Sequence, residues 1–186
     1  MLRRFASFQR GFTLIEMVVV IGILGILLAL AAPNLGTYII NQKIRTAANS
    51  IQNGLQLARA EAVKRNQAVA VVLTAAAPTS GTAAASASGA NWIVRIEGTN
   101  ELVQGRSGAD GSTNVAIAAT VNAAAFASAI VFNGLGRLAT APAAQIQIAV
   151  TSPGGTRPMR IAVNAGGQIR MCEPLITDAT NLQGCS

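Results

Sequence analysis

The chain has 186 residues, 51% of them apolar but only 4% aromatic, with a formal charge of +7 and no histidine. The missing histidine excludes Ser-His-Asp triads, Cys-His pairs and the commonest metal ligand together. Seven acids without a clustered pair leave hydrolytic or metal chemistry little to stand on, so no catalytic residue, metal site or cofactor is expected.

The first element is an apolar run behind a basic stretch containing Arg3, Arg4 and Arg10. From Phe12 to Ala32 only Thr13 and Glu16 are polar, and as a helix this run spans about 31 Å, the thickness of a hydrocarbon core. Basic residues ahead of a span stay cytoplasmic, which places everything after it on the outer side of the membrane. No small-residue cleavage site behind a short apolar region is present, so a conventional secretory signal does not fit. Glu16 is the costly residue, because a carboxylate near a membrane interior calls for a named partner. The plainer reading is an interfacial acid favoured by the positive end of a helix. Gly22 and Gly25 allow close approach of other helices, while Pro33 either bends the helix or ends the span.

The stretch "RGFTLIEMVVVIGILGILLALAAP", residues 10 to 33, resembles the leader of type IV pilins and type II secretion pseudopilins. The resemblance implies cleavage by a prepilin peptidase between Gly11 and Phe12 and N-methylation of Phe12. It also implies that Glu16 pairs with the N-terminal amine of a neighbouring subunit during assembly.

Beyond Pro33, apolar residues at Ile40, Ile44, Ala47, Ala48, Ile51, Leu55, Ala58 and Ala62 recur at helical spacing, opposite faces bearing Gln42, Lys43, Arg45, Arg59 and Lys64. Gly54 weakens this helix locally, and Arg65-Asn66 supplies its stop. One helix over about 12–65 is expected, half in lipid and half amphipathic. Glu61 and Arg65 stand four apart with the acid first, an ordinary helix ion pair.

Strand patterns follow. Residues 67–75 are β-rich, the Gly/Ser/Ala-rich segment 76–91 reads as a connecting loop free to be mobile, and residues 92–98 and 114–121 alternate. Residues 129–139, "AIVFNGLGRLA", read as a strand into a glycine turn and out again. Two hairpins can be registered. Pairing Val150 with Met159 leaves a four-residue loop, Pro153–Thr156; pairing Val163 with Ile169 and Ile161 with Met171 leaves Ala165-Gly166-Gly167. Arg160 and Arg170 then share an outer face near Gln168 and Cys172. Cys172 and Cys185, the only two cysteines, read in an exported domain as one disulfide closing a C-terminal loop.

The segments "LQLARAEAVKRNQAV", "NWIV", "FNGLGRL" and "GGQIRMC…C" together resemble the GspH/FimT class of minor pilins and pseudopilins. That resemblance implies an α+β fold in which a long N-terminal helix, half of it transmembrane, packs on a small antiparallel β-sandwich or pair of sheets. The expected organisation is a cleaved leader (1–11), a transmembrane assembly helix (12–33), its amphipathic continuation (34–66) and a periplasmic β domain (67–186). The expected location is the inner membrane, single-pass with a cytoplasmic N-terminus, and then a pilus or pseudopilus. Its partners would be other pilins or pseudopilins, prepilin peptidase and the inner membrane. DNA is the alternative partner: some FimT-type pilins are thought to bind it through a Gly-Arg-x-Arg motif. Here Gly167, Gln168, Ile169 and Arg170 align with that motif, so its first arginine is missing, and Arg157 and Arg160 supplement Arg170.

Overall fold

A computed structural model of the chain describes residues 11–178 and 180–185; the side chains of residues 30–34 also lie outside the description. Arg3, Arg4 and Arg10 fall among the undescribed residues. Residues up to Gly36 and from Thr37 onward form two separate compact units, and each is treated on its own.

Helix α1 (Leu14–Arg65) starts two residues later than expected, because residues 11–13 are not helical. It runs through position 33, so Pro33 does not end it. From Leu14 to Ala29 the helix is apolar apart from Glu16 and its side chains are exposed, among them Leu14, Ile15, Val18, Ile21, Leu24 and Leu28. In the second unit the pattern changes to one buried stripe: Ile44, Ala47, Ala48, Ile51, Leu55, Ala58 and Ala62. The helix ends in a Schellman motif, with Gln67 N donating to Ala62 O, Asn66 N donating to Val63 O, and Asn66 in the left-handed region at φ 49°. This is the stop that Arg65-Asn66 promises.

Two antiparallel sheets receive that stripe. The first, in the order β3-β2-β1-β6, comprises β1 (Val69–Thr74), β2 (Asn91–Ile96), β3 (Leu102–Arg106) and β6 (Ile130–Phe132). The second, in the order β5-β4-β7-β8-β9, comprises β4 (Ala116–Val121), β5 (Ala124–Ala125), β7 (Ile146–Thr151), β8 (Met159–Val163) and β9 (Ile169–Cys172). Helix stripe and both sheets share one core of small aliphatics around Phe132 and Trp92. The chain is thus the expected α+β arrangement of a long helix on two antiparallel sheets.

Trp92 explains the glycine inside the helix. Its indole Nε1 donates to Ser50 Oγ at 2.9 Å, and a Cβ added at Gly54 would sit 3.0 Å from the ring. The ring lies where a side chain at position 54 would have to go. Gly54→Val is expected to destabilise the domain by about 1–3 kcal/mol through overpacking, despite removing a helix glycine. Urea unfolding measures it, and a stabilised variant would contradict this packing.

Both hairpin registers are as expected: Val150 faces Met159, Ile161 faces Met171 and Val163 faces Ile169. The first loop is longer than expected. Strand β7 stops at Thr151 and β8 starts at Met159, so the connection covers 152–158 rather than Pro153–Thr156. The cause is Asn41 on α1, whose Oδ1 accepts the backbone N–H groups of Thr156 and Arg157, drawing the loop to the helix; Pro158 has no N–H to give a ladder.

The Gly/Ser/Ala-rich segment is built into the fold rather than free. It lies over the second face of β1 and β2, where Ala83 and Ala85 pack against Ala70, Val72 and Ile93. It is fastened by Ser86 N to Leu73 O, Ala119 N to Ala87 O, and Arg95 Nη1 to Gly81 O. This cover is why every residue of β1 is buried. Two short strands, β3 and β5, were not expected. Strand β5 turns back from β4 through Asn122 and Ala123, both at positive φ, a mirror-image turn that an Asn-Ala pair does not advertise.

Candidate functional site

Two groups of residues carry the chemistry expected of this chain, one at the helix start and one at the last hairpins. At the helix start, Thr13 is the N-cap: its Oγ1 accepts the backbone N–H of Glu16 at 3.2 Å, and its carbonyl accepts that of Met17. Thr13 and Glu16 have the spacing of a capping box, which puts the Glu16 carboxylate in the first helical turn at the positive end of the helix. Glu16 is exposed, and so are its apolar neighbours Phe12, Leu14, Ile15 and Met17. Among the described residues no cation pairs with it. Gly11 lies in the non-helical stretch with open space around its Cα. Among the described residues no helix is long and apolar enough to cross a membrane.

At the last hairpins, Cys172 and Cys185 form the expected disulfide, with Cα atoms 5.1 Å apart. Arg170 fastens the same loop, its Nη2 donating to the carbonyls of Leu182 at 3.1 Å and Gly184 at 2.8 Å. Arg157 makes a two-pronged ion pair with Glu173, both contacts at 3.2 Å. Gln168 Oε1 accepts from Asn164 within the turn. Arg160 is half-buried and shares a sheet face with Arg170, the two lining a shallow hollow with Gln145 and Gln147. Arg157 instead lines a cavity of about 230 Å³ with Asn41, Arg45, Met159 and Met171. The structure therefore brings Arg160 and Arg170 together and sets Arg157 apart from them.

The disulfide closes a loop with a sequence separation of 13, and loss of that constraint costs about 3 kcal/mol. Replacing both cysteines by alanine is expected to lower stability by that amount in urea unfolding. An unchanged midpoint would show that Arg170 and the Arg157–Glu173 pair hold the loop alone.

The Glu61 carboxyl is held below the usual carboxylate range, first by the Arg65 hydrogen bond at 2.7 Å and then by Lys64. Its stabilising contribution is present above the ordinary glutamate range and lost as pH falls through the lowered folded value. The same contact raises Arg65. Hydrogen bonds from Thr180 lower Asp178. Among the described residues no group of three or more Cys, Asp or Glu could hold a metal ion.

A family model described as "Type II transport protein GspH" matches residues 47–167, well over half of the chain. The chain belongs to the GspH family. A second model, "Prokaryotic N-terminal methylation motif", matches residues 7–32. The fold of this GspH-family chain is similar to that of the type IV minor pilin FimU of Pseudomonas aeruginosa. The TM-score is 0.53 at 17% identity, over 70% of this chain and 88% of that one. The minor pseudopilin EpsH of the Vibrio cholerae type 2 secretion system aligns at TM-score 0.47 and 10% identity, over 71% of this chain and 98% of that one. No curated protein gives a significant match.

In this GspH-family chain the residues that sequence reasoning missed are the ones whose partners are backbone groups. Asn41 reads as one polar residue on a solvent face, yet it holds the β7–β8 loop. Arg170 reads as a candidate phosphate contact, yet it binds two carbonyls. The only signal for Thr13 is its spacing from Glu16, three residues on.

Proposed function

We propose that the chain is a minor subunit of a type IV pilus or type II secretion pseudopilus, acting at the initiating end or tip. The observation that carries this reading is Glu16: a capped, exposed carboxylate with no ion-pair partner among the described residues, in a stretch of helix that is otherwise apolar from Leu14 to Ala29. Such a helix is stable only when other apolar groups cover it, and its acid only when a cation comes from outside. Prepilin peptidase cleaves after Gly11 and leaves Phe12 as the N-methylated first residue, whose amine supplies that cation to Glu16 on a neighbouring subunit. Before assembly the apolar segment 12–33 anchors the chain in the inner membrane, N-terminus cytoplasmic, with the β domain periplasmic.

The test is N-terminal mapping of the chain recovered from membranes. The mature chain is expected to begin at Phe12 and carry one added methyl, and Gly11→Val is expected to leave the precursor at full length. Full processing of Gly11→Val, or a different first residue, overturns the leader assignment. The alternative role, DNA binding through Arg157, Arg160, Arg170 and Gln168, has weaker support. Three of these four already serve the loop or the turn, leaving Arg160 as the one cation of the set without a partner among the described residues, and phosphate binding needs several.

A further inference from the structure

The turn at 133–137, within "FNGLGRL", displays a large apolar side chain. Leu135 is 79% exposed although its neighbours in the motif, Phe132 and Leu138, are core residues. The turn itself is fixed. Asn133 Oδ1 accepts the backbone N–H groups of Leu135 at 3.0 Å and Arg137 at 3.2 Å, and Asn133 N donates to Arg137 O at 2.9 Å. Gly136 sits at φ 72°, and side chains at Gly134 or Gly167 would collide with Asn66 and with the Gly136 carbonyl. Three glycines thus clamp the turn against the end of α1 and the β8–β9 hairpin, leaving Leu135 projecting from a rigid base. A Cβ at Gly136 would meet Val63 Cγ2 at 3.1 Å and Arg59 Nε at 3.2 Å, so both helix residues lie beside the turn. Val63 is itself 53% exposed.

The charges around this apolar pair are unbalanced. Arg59 and Arg137 are exposed, and among the described residues neither has an ion-pair partner. The nearby carboxylate on the helix, Glu61, is taken by Lys64 and Arg65, and Glu101 stands 3.7 Å from Arg65. An apolar centre with an arginine rim is the anatomy of a protein interface rather than of a solvated end.

We propose that Leu135 and Val63, flanked by Arg59 and Arg137, form a docking surface for a second, different subunit that offers an apolar recess rimmed by carboxylates. This deepens the subunit reading above and rests on it. A second copy is the wrong occupant for this surface: the chain stays net basic even without Arg3, Arg4 and Arg10, and pairing two such ends would set arginine against arginine. Nucleic acid would satisfy the arginines and leave Leu135 and Val63 uncovered. Rigidity favours the proposal as well, because a preorganised knob loses little freedom on insertion.

The test uses the full chain in cells that assemble it, with a photo-crosslinking residue at position 135 and, separately, at Val20 in the apolar helix. Adducts are mapped to the residue by mass spectrometry. The expected result at 135 is an adduct on an apolar residue of another subunit that has Asp or Glu neighbours. The adduct should fall at least tenfold with Arg59→Glu plus Arg137→Glu and persist with Arg59→Lys plus Arg137→Lys. Formation of the Cys172–Cys185 bond, read by thiol alkylation, verifies folding of each variant. An adduct to a second copy, to lipid or to nucleic acid overturns the proposal, as does one indifferent to charge reversal. Adducts from position 20 without any from 135 overturn the docking surface and leave the subunit reading standing; no subunit adduct from position 20 overturns that reading itself.

Discussion

Phe132→Ala is expected to lower the unfolding free energy by about 3–5 kcal/mol. Phe132 is fully buried and is the largest side chain with no exposure in the molecule's core. It sits on β6, a strand of three residues that pairs with β1 on one side and meets Leu138 through a single bridge. The surroundings resist collapse into the space a smaller residue would leave: Val69 opposite it belongs to the fully buried β1, and the glycine turn just after it is fixed by Asn133. Against a total stability of about 5–15 kcal/mol, the loss is a large fraction of the whole. Urea unfolding of the full chain should show a lower midpoint at unchanged slope. Phe132→Leu should cost much less, and a loss below about 1 kcal/mol for the alanine variant would mean that the turn and edge can repack.

The second large effect is functional. Glu16→Ala is expected to leave processing, membrane association and the β domain intact while reducing incorporation into filaments to background. Glu16 lies outside the compact unit that holds the sheets, and the Thr13 cap uses the backbone N–H of residue 16, which alanine retains. What the substitution removes is the only acid on the apolar half of α1. Filaments recovered with the variant subunit at parental levels would end the pairing role. Glu16→Gln sharpens the result: it keeps shape and hydrogen-bonding capacity, so a similar defect points to charge.

These two residues were legible to different degrees. The apolar period of α1 and the Arg65-Asn66 stop are local signals, and both elements stand close to where the pattern puts them. The hairpin registers were legible because a one-residue slip would turn Ile161 and Val163 to solvent. The cover over sheet β3-β2-β1-β6 was not, since a run of Ala, Ser, Thr, Gly and Pro has no period and its packing is set by what lies beneath it. At the candidate sites, Glu16 stood out by its cost in an apolar run. The arginines stood out by their charge, but charge does not announce a carbonyl partner, so the work of Arg170 on the C-terminal loop was hidden. Leu135 was hidden for the converse reason: a leucine between two glycines of a turn carries no sign of whether it faces the core or solvent.

The cover segment also limits how this domain can be held. From residue 75 to 90 it contains nothing larger than Thr or Pro. Such side chains have almost no rotameric freedom to lose when a neighbour settles on them, and equally no long or aromatic group with which to grip one. That flank of the domain can be crowded without being bound. In a packed array a neighbouring domain can slide along this flank, and its orientation is decided where it meets larger or charged side chains instead.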